Sequence, residues 1–365
     1  MDVNKIDKNI DGKKAALDDL EYHRLPGPAF DLYGVYFDGK YFVRMPEEIA
    51  EKVSAGVKVL YKIPSGGRVR FATDSNLISL RVKYDGLFHM ISMPLISSCG
   101  FTLTEDSETG SRFVTVFKPT LDAEKGFTAS YGFREKKMRY FTLFFPVYNE
   151  ISELEIGMEP DCRLAEGKRY NNSLPLLYYG SSITQGCLCS RADNTYPAFI
   201  SKWNNFDFIN LGFSGNAKAE DFMVDYLASV ECSVFICDYD YNAADAAYLE
   251  KTHYRLYERY RSRRKEVPII FISRPNCYGE NNERERRRII RRTYLRALKS
   301  GDKQVYFIDG SLLWGREVHA CTVDGCHPND LGFFMMAKKI ERVIKKVMAL
   351  KNLQTREMKS QGIME

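Results

Sequence analysis

From about residue 30 to 160 the apolar side chains fall at every second position, as in Val57, Val59, Tyr61 and Ile63 and again in Ile78, Leu80, Val82 and Tyr84. A repeat of two marks strands that bury one face. Further strands are expected at residues 113–117, 139–145 and 153–156, and the turns between them at Pro64-Ser65-Gly66-Gly67, Glu105-Asp106-Ser107 and Asp122-Ala123-Glu124-Lys125-Gly126. Many short strands without long helical patterns predict an all-β sandwich of the jelly-roll-like kind.

After the polar stretch Glu166-Gly167-Lys168-Arg169-Tyr170-Asn171-Asn172-Ser173 the pattern changes. Short continuous apolar runs at 174–179, 206–211, 233–238, 268–273 and 304–309 now alternate with helix-length segments such as 246–264 and 281–300, and a last helix is expected from Asp330 to about Leu350. Strands apolar on both faces and separated by helices belong to a parallel sheet covered on both sides. The fold class expected is therefore α/β, a three-layer α/β/α domain with a five-stranded parallel sheet, preceded by the sandwich. The expected organisation is a polar N-terminal segment over 1–25, the sandwich over 26–168, the α/β domain over 169–350 and a polar tail over 351–365.

Composition narrows the function classes. At 365 residues, 44% of them hydrophobic, the chain can bury a substantial core. A net charge of +5 from 53 basic and 48 acidic residues is too small an excess to point to a polyanionic partner, so nucleic acid is not expected. The charged start Met1-Asp2-Val3-Asn4-Lys5 lacks the apolar run of a secretory signal, and no stretch reaches the roughly 18 apolar residues that span a bilayer. The expectation is a cytoplasmic protein without a membrane partner. Nine cysteines without a repeated Cys-x-x-Cys spacing read as reduced structural thiols, so neither a metal nor another cofactor is expected; Cys187 and Cys326 flank the chemistry below.

Reactive groups concentrate where a parallel sheet presents them, beyond the carboxyl ends of the strands. The first run enters Gly180-Ser181-Ser182-Ile183-Thr184-Gln185-Gly186, a turn into a helix start, where free N–H groups and the helix dipole favour an anionic oxygen. The second run leads to Gly212-Phe213-Ser214-Gly215-Asn216, the third to Asp238-Tyr239-Asp240-Tyr241-Asn242, and the fifth, through a longer loop, to Asp324-Gly325-Cys326-His327. These supply the parts of an acyl-transfer site. Ser182 is the nucleophile, His327 the base and Asp324 its orienting acid, while the N–H groups of Ser182 and Gly215 and the amide of Asn242 bind the oxyanion. Arg274, after the fourth run, is a candidate substrate contact, with a structural ion pair as the competing reading.

The remaining histidines compete less well for the base. His253 shares helical spacing with Leu249, Leu256 and Tyr260 and reads as core, His319 is the main rival without a carboxylate three residues earlier, and His23 and His89 read as structural. The run Glu283-Arg284-Glu285-Arg286-Arg287-Arg288-Ile289-Ile290-Arg291-Arg292 fits an amphipathic helix with its arginines in water, against the alternative of an RNA-binding patch.

These blocks, in this order over roughly residues 174 to 345, resemble the SGNH, or GDSL-type, hydrolase superfamily. The resemblance implies an esterase that works through an acyl-enzyme on small acyl, and in particular acetyl, esters, without metal or organic cofactor. The β-rich first half resembles the jelly-roll domain of some carbohydrate deacetylases of that superfamily, which makes an oligosaccharide ester the expected substrate partner. Two blocks depart from the family pattern: Gly-Asp-Ser becomes Gly180-Ser181-Ser182, and Gly-x-Asn-Asp becomes Asp240-Tyr241-Asn242-Ala243. A lipase-like acylhydrolase of other chain length and an inactive carbohydrate-binding protein are the alternatives.

Overall fold

The computed structural model describes residues 19–120, 123–275 and 281–360, so the first part of the expected N-terminal segment, Asp122, Cys277 and the last five residues of the expected tail lie outside the described residues. Two compact units emerge, one of residues 1–45, 61–170 and 190–193, the other of residues 46–60, 171–189 and 194–365.

Strands of the first unit are β1 (Glu21–Arg24), β2 (Asp31–Tyr33), β3 (Tyr36–Phe37), β4 (Phe42–Val43), β5 (Arg68–Thr73), β6 (Leu77–Lys83), β7 (Phe101–Ser107), β8 (Gly110–Phe117), β9 (Gly126–Gly132), β10 (Arg139–Phe144), β11 (Glu153–Met158) and β12 (Leu164–Glu166). Among the described residues they build two larger antiparallel sheets, β1-β11-β6-β9 and β12-β5-β10-β7-β8 with β2 on β5, and a separate two-stranded pair, β3-β4. The period-two apolar positions of both sheets meet in one core that includes Phe71, Ile78, Leu80, Leu103, Phe141 and Ile156. The sandwich expected from the alternation is thus present. Strand β1 lies inside the expected polar N-terminal segment, paired to β11.

Two local readings fail, each for a physical reason. Val57 and Val59 belong to a helix, because α1 (Glu47–Val53) and α2 (Ala55–Leu60) form a short hairpin that clusters with the second unit. Val57 is buried and Val59 is 64% exposed, so the two do not share a face; Val57 and Tyr61, four apart, are the buried pair. The turn expected at Glu105-Asp106-Ser107 is the end of β7. Asp106 is buried there against Arg70 (3.3 Å) and Thr142 (2.6 Å), and the reversal falls on Glu108-Thr109. Helix α3 (Leu95–Ser98) precedes β7.

In the second unit β13 (Leu176–Gly180), β14 (Phe208–Gly212), β15 (Val234–Asp238), β16 (Ile269–Ile272) and β17 (Val305–Ile308) form a parallel sheet in the order β14-β13-β15-β16-β17. Every expected run supplies one strand. The helices are α4 (Ser182–Gln185), α5 (Tyr196–Asn204), α6 (Asp221–Ser229), α7 (Ala246–Arg263), α8 (Asn281–Lys299) and α9 (Asp330–Ser360), the last extending past the end expected near Leu350. Helix α5 packs on α9, and α6 on α7 and α7 on α8, the two outer layers of an α/β/α domain.

His253 illustrates the packing of α7. It is 2% exposed, its ring stacks on Tyr239 at 5.7 Å, Nδ1 lies 2.9 Å from the Thr293 hydroxyl on α8, and burial pushes its pKa down to about 4. The unfolded chain takes up a proton near the ordinary value of 6.5, which the folded chain refuses until about 4. The stability due to this group is therefore full above pH 6.5 and falls as the pH drops toward 4, by about 3 kcal/mol. His253→Gln is expected to lose less stability than the parent between pH 7 and pH 4.5, as measured by urea denaturation at the two pH values.

Candidate active site

The turn that carries Ser182 follows from the register of three strands. Gly180 stands opposite Gly212 on one side and Asp238 on the other, so β13, β14 and β15 end at one level. The chain then folds tightly into α4. A Cβ on Gly180 would lie 2.1 Å from Thr184 Oγ1, and one on Gly212 would lie 2.3 Å from the backbone nitrogen of Gln185, so glycine is required at both strand ends. The two adjacent serines divide the work. Ser181 is fully buried and caps α4, its Oγ accepting from the Ile183 N–H at 3.2 Å. Ser182 opens the helix, and its Oγ lies 2.9 Å from His327 Nε2.

The Asp-Gly-Cys-His spacing is explained by one side chain. Asp324 Oδ1 accepts from the N–H groups of Cys326 (3.0 Å) and His327 (2.7 Å), Gly325 takes a φ of 83°, and the loop curls so that Oδ2 meets His327 Nδ1 at 2.8 Å. Serine, imidazole and carboxylate thus stand in one hydrogen-bonded chain across 145 residues. Burial pushes the Asp324 carboxyl upward, but the donors of His327 and Cys326 outweigh it and hold the group below the usual carboxylate range. Burial also pushes the imidazole down. The neighbouring Cys187 sulfur, by hydrogen bond and charge, and the Asp324 carboxylate outweigh that and raise His327 to about 9. Cys187 reaches this place because its N–H, like that of Gly186, bonds the carbonyl of Ser182 (both 2.9 Å), closing α4 beside that residue.

Gly215 sits at a φ of 68°, and a Cβ there would meet no protein atom within 4 Å, so backbone conformation rather than crowding by the fold favours glycine. Its loop is tied down on three sides. Ser214 N–H donates to Gln185 Oε1 at 3.0 Å, Ala217 N–H to Asn242 Oδ1 at 3.1 Å, and Asn216 Nδ2 to the Ser214 carbonyl at 2.7 Å. The bond from Ala217 occupies the oxygen of Asn242 and leaves its NH2 as the donor end. From the α1–α2 hairpin, Gly56 packs so closely that a Cβ would lie 1.9 Å from Asn216 Oδ1.

The turn that carries Asn242 is clamped by buried charge. Asp240 accepts from Arg286 Nε at 2.8 Å and from the Arg274 N–H at 2.9 Å, and the Arg286 Nη2 also bonds the carbonyls of Asp240 and Ala243. Arg286 is 1% exposed, which corrects the expectation that every arginine of its run lies in water. Arg274 also approaches Asp240 through Nε at 3.4 Å, with its guanidinium 4.4 Å over the Tyr241 ring, the geometry of the ion-pair reading. Among the other histidines, His253 is core as expected, and His319 is exposed on the 3-10 turn Val318–Cys321. Among the described residues no group of three or more His, Cys, Asp or Glu side chains could hold a metal ion, and no helix is long and apolar enough to cross a membrane.

Comparison with known proteins bears on the fold and the family of the chain. Residues 173–345 match the GDSL-like Lipase/Acylhydrolase family, and residues 28–164 match the GxDLY family, described as the N-terminus of SGNH_hydro-type esterases. The Asp-Leu-Tyr of that name is β2, and Ala29, at a φ of 65°, stands where the motif has glycine. No curated protein matches the sequence. A candidate GDSL-like lipase from Bacteroides ovatus is 26% identical over 90% of this chain and 98% of its own, with a TM-score of 0.82. A salicylyl-acyltransferase from a tetracycline biosynthetic pathway shares the fold at 17% identity over 91% of this chain and 98% of its own, TM-score 0.73. So does a family two carbohydrate esterase from Clostridium thermocellum, in complex with cellohexaose, at 15% identity over 78% and 93% of the two chains, TM-score 0.58.

Replacing Cys187 by alanine removes one of the two neighbours that raise the imidazole while leaving its burial unchanged. The His327 pKa is expected to fall below its parent value of about 9. An NMR titration of the ring resonance checks this, and an unmoved midpoint would show that Asp324 alone sets the value.

Proposed function

Because the chain belongs to the SGNH-type, GDSL-like acylhydrolases and is a carboxylic ester hydrolase, we propose that it removes small acyl groups, acetyl first among them, from oligosaccharide esters through a covalent acyl-enzyme. The observation that carries the reading is the Ser182–His327–Asp324 chain, with links of 2.9 and 2.8 Å. Ser182 Oγ bonds the acyl carbon as its proton passes to His327 Nε2. The N–H groups of Ser182 and Gly215 and the Asn242 amide donate to the carbonyl oxygen as it becomes an oxyanion. On collapse the sugar oxygen leaves with the proton held by His327, and water, deprotonated by the same nitrogen, releases the acid and restores the serine. Asp324 holds the imidazole in the tautomer that presents Nε2 as acceptor and stabilises the imidazolium. Support for a sugar alcohol comes from the fold shared with the carbohydrate esterase, and support for an intact machinery from the presence of every part in one unit.

Acetylated oligosaccharides and aryl esters of increasing acyl length, assayed side by side, test the substrate. Acetyl esters are expected to turn over fastest, whereas a rise in rate with chain length would assign a lipase-like acylhydrolase. Ser182→Ala is expected to lower kcat by roughly 10⁴–10⁶, and a serine-directed phosphonate should label Ser182 in the parent. Sugar binding without labelling or turnover would instead identify a binding protein. Activity is expected to climb with pH through about 9, since only the neutral imidazole accepts the serine proton.

Arg286 acts through Asn242. Arg286→Lys keeps the charge but not the fork that bonds Asp240 and Ala243 together. It is expected to lower kcat by about 10-fold or more with KM little changed, the split that follows when an oxyanion donor is displaced.

A further inference from the structure

Four arginines of α8 remain outside the site described above. Arg284, Arg287, Arg288 and Arg291 recur at spacings of three and four and so share one helix face. With Phe307 and Asp309 they line a cavity of about 220 Å³. This face is distinct from the one that builds the core, where Arg286, Ile289, Ile290, Thr293 and Ala297 are buried.

The lining is unbalanced in charge. Asp309 is its one carboxylate, and Asp309 Oδ1 already accepts from the N–H and hydroxyl of Ser311 at 3.0 and 2.7 Å, leaving Arg287 a contact of 3.5 Å. Among the described residues Arg284, Arg288 and Arg291 form no ion pair. Like charges three and four residues apart oppose helix formation, an effect that Glu283 and Glu285, four and three residues before Arg287 and Arg288, offset in part. Guanidinium groups gathered around a concavity match the oxygens of phosphate or sulfate, which they hold through paired N–H donors. Phe307, half-buried on the edge strand β17 and stacked against Tyr294 at 6.1 Å, adds an apolar wall. The cavity lies toward the carboxyl end of the sheet, because Asp309 follows β17 and the arginines occupy the first half of a helix that returns from β16. Its volume suits a compact ligand rather than a nucleic-acid duplex.

We propose that this cavity binds a small molecule bearing phosphate or sulfate ester groups, recognised by Arg284, Arg287, Arg288 and Arg291. The site stands apart from Ser182 and is independent of the esterase reading. Inorganic pyrophosphate and inorganic sulfate, titrated separately by calorimetry into the full chain at low salt, test it. Saturable binding of one anion per chain is expected, tighter pyrophosphate pointing to a phosphate ester and tighter sulfate to a sulfate ester. The triple change Arg284→Gln, Arg288→Gln and Arg291→Gln should weaken binding at least 10-fold. Lysine at the same three positions should weaken it less, since charge is kept and only the fork is lost. Aryl-ester hydrolysis equal to the parent's shows that the variants are folded. Absence of saturable binding by either anion, binding unchanged in the glutamine variant, or stronger salt-dependent binding of a single-stranded RNA oligonucleotide to the same arginines would overturn the proposal.

Discussion

Everything in the α/β unit hangs on three parallel strands stopping at one level. Because Gly180, Gly212 and Asp238 are in register, the segments that leave them emerge side by side, and a helix can start in the space that two absent Cβ atoms leave free. The hydroxyl of Ser182 is therefore aimed by the sheet rather than by its loop. The imidazole arrives from far along the chain, but only a local device is needed to present it: one carboxylate that bonds two backbone N–H groups with one oxygen and the ring with the other. Long-range order comes from the sheet and fine orientation from a four-residue turn.

The same economy governs the charges. Asp240 is fully buried with two guanidiniums on it, an arrangement whose desolvation cost is offset only if the bonds around it are complete. Removing one partner of such a pair costs about 3–5 kcal/mol, since the other charge is left uncompensated. Next to it, Asp238 is buried at the turn that carries Ser182, where burial and the nearby Asp240 push its carboxyl well above the usual range while Thr184 donates to it at 3.3 Å. The polar support of the site is thus set by its surroundings at each position, one acid paired with two guanidiniums, the other driven toward neutrality.

Much of this is legible in the residues. Apolar runs buried on both faces have no other use than a central parallel strand, so all five appear where the pattern puts them, and the reactive groups follow because such a sheet exposes chemistry at one end. The assignment of Ser182 over Ser181 rests on position alone in the sequence; the cap bond to Ile183 supplies the physical reason. What could not be read are facts of tertiary contact. Val57 and Val59 satisfy a period of two over too few residues to exclude a helix turn, and Asp106 looks like a turn former until Arg70 and Thr142 are seen around it. Arg286 is indistinguishable by spacing from its solvated neighbours. Cys187 gave a hint only through its nearness to Ser182, since nothing in the chain announces which thiol will touch a distant imidazole.

The hairpin of α1 and α2 lies early in the sequence, yet its Gly56 abuts Asn216 in the loop that carries Gly215. The polypeptide thus lends a piece of its beginning to a body assembled from its end. During synthesis this piece emerges some 115 residues before β13, and α6, on which α1 packs, is made later still. A fragment that begins after residue 168 would have Ser182, Asp324 and His327 but not this buttress, so no single cut separates the two units.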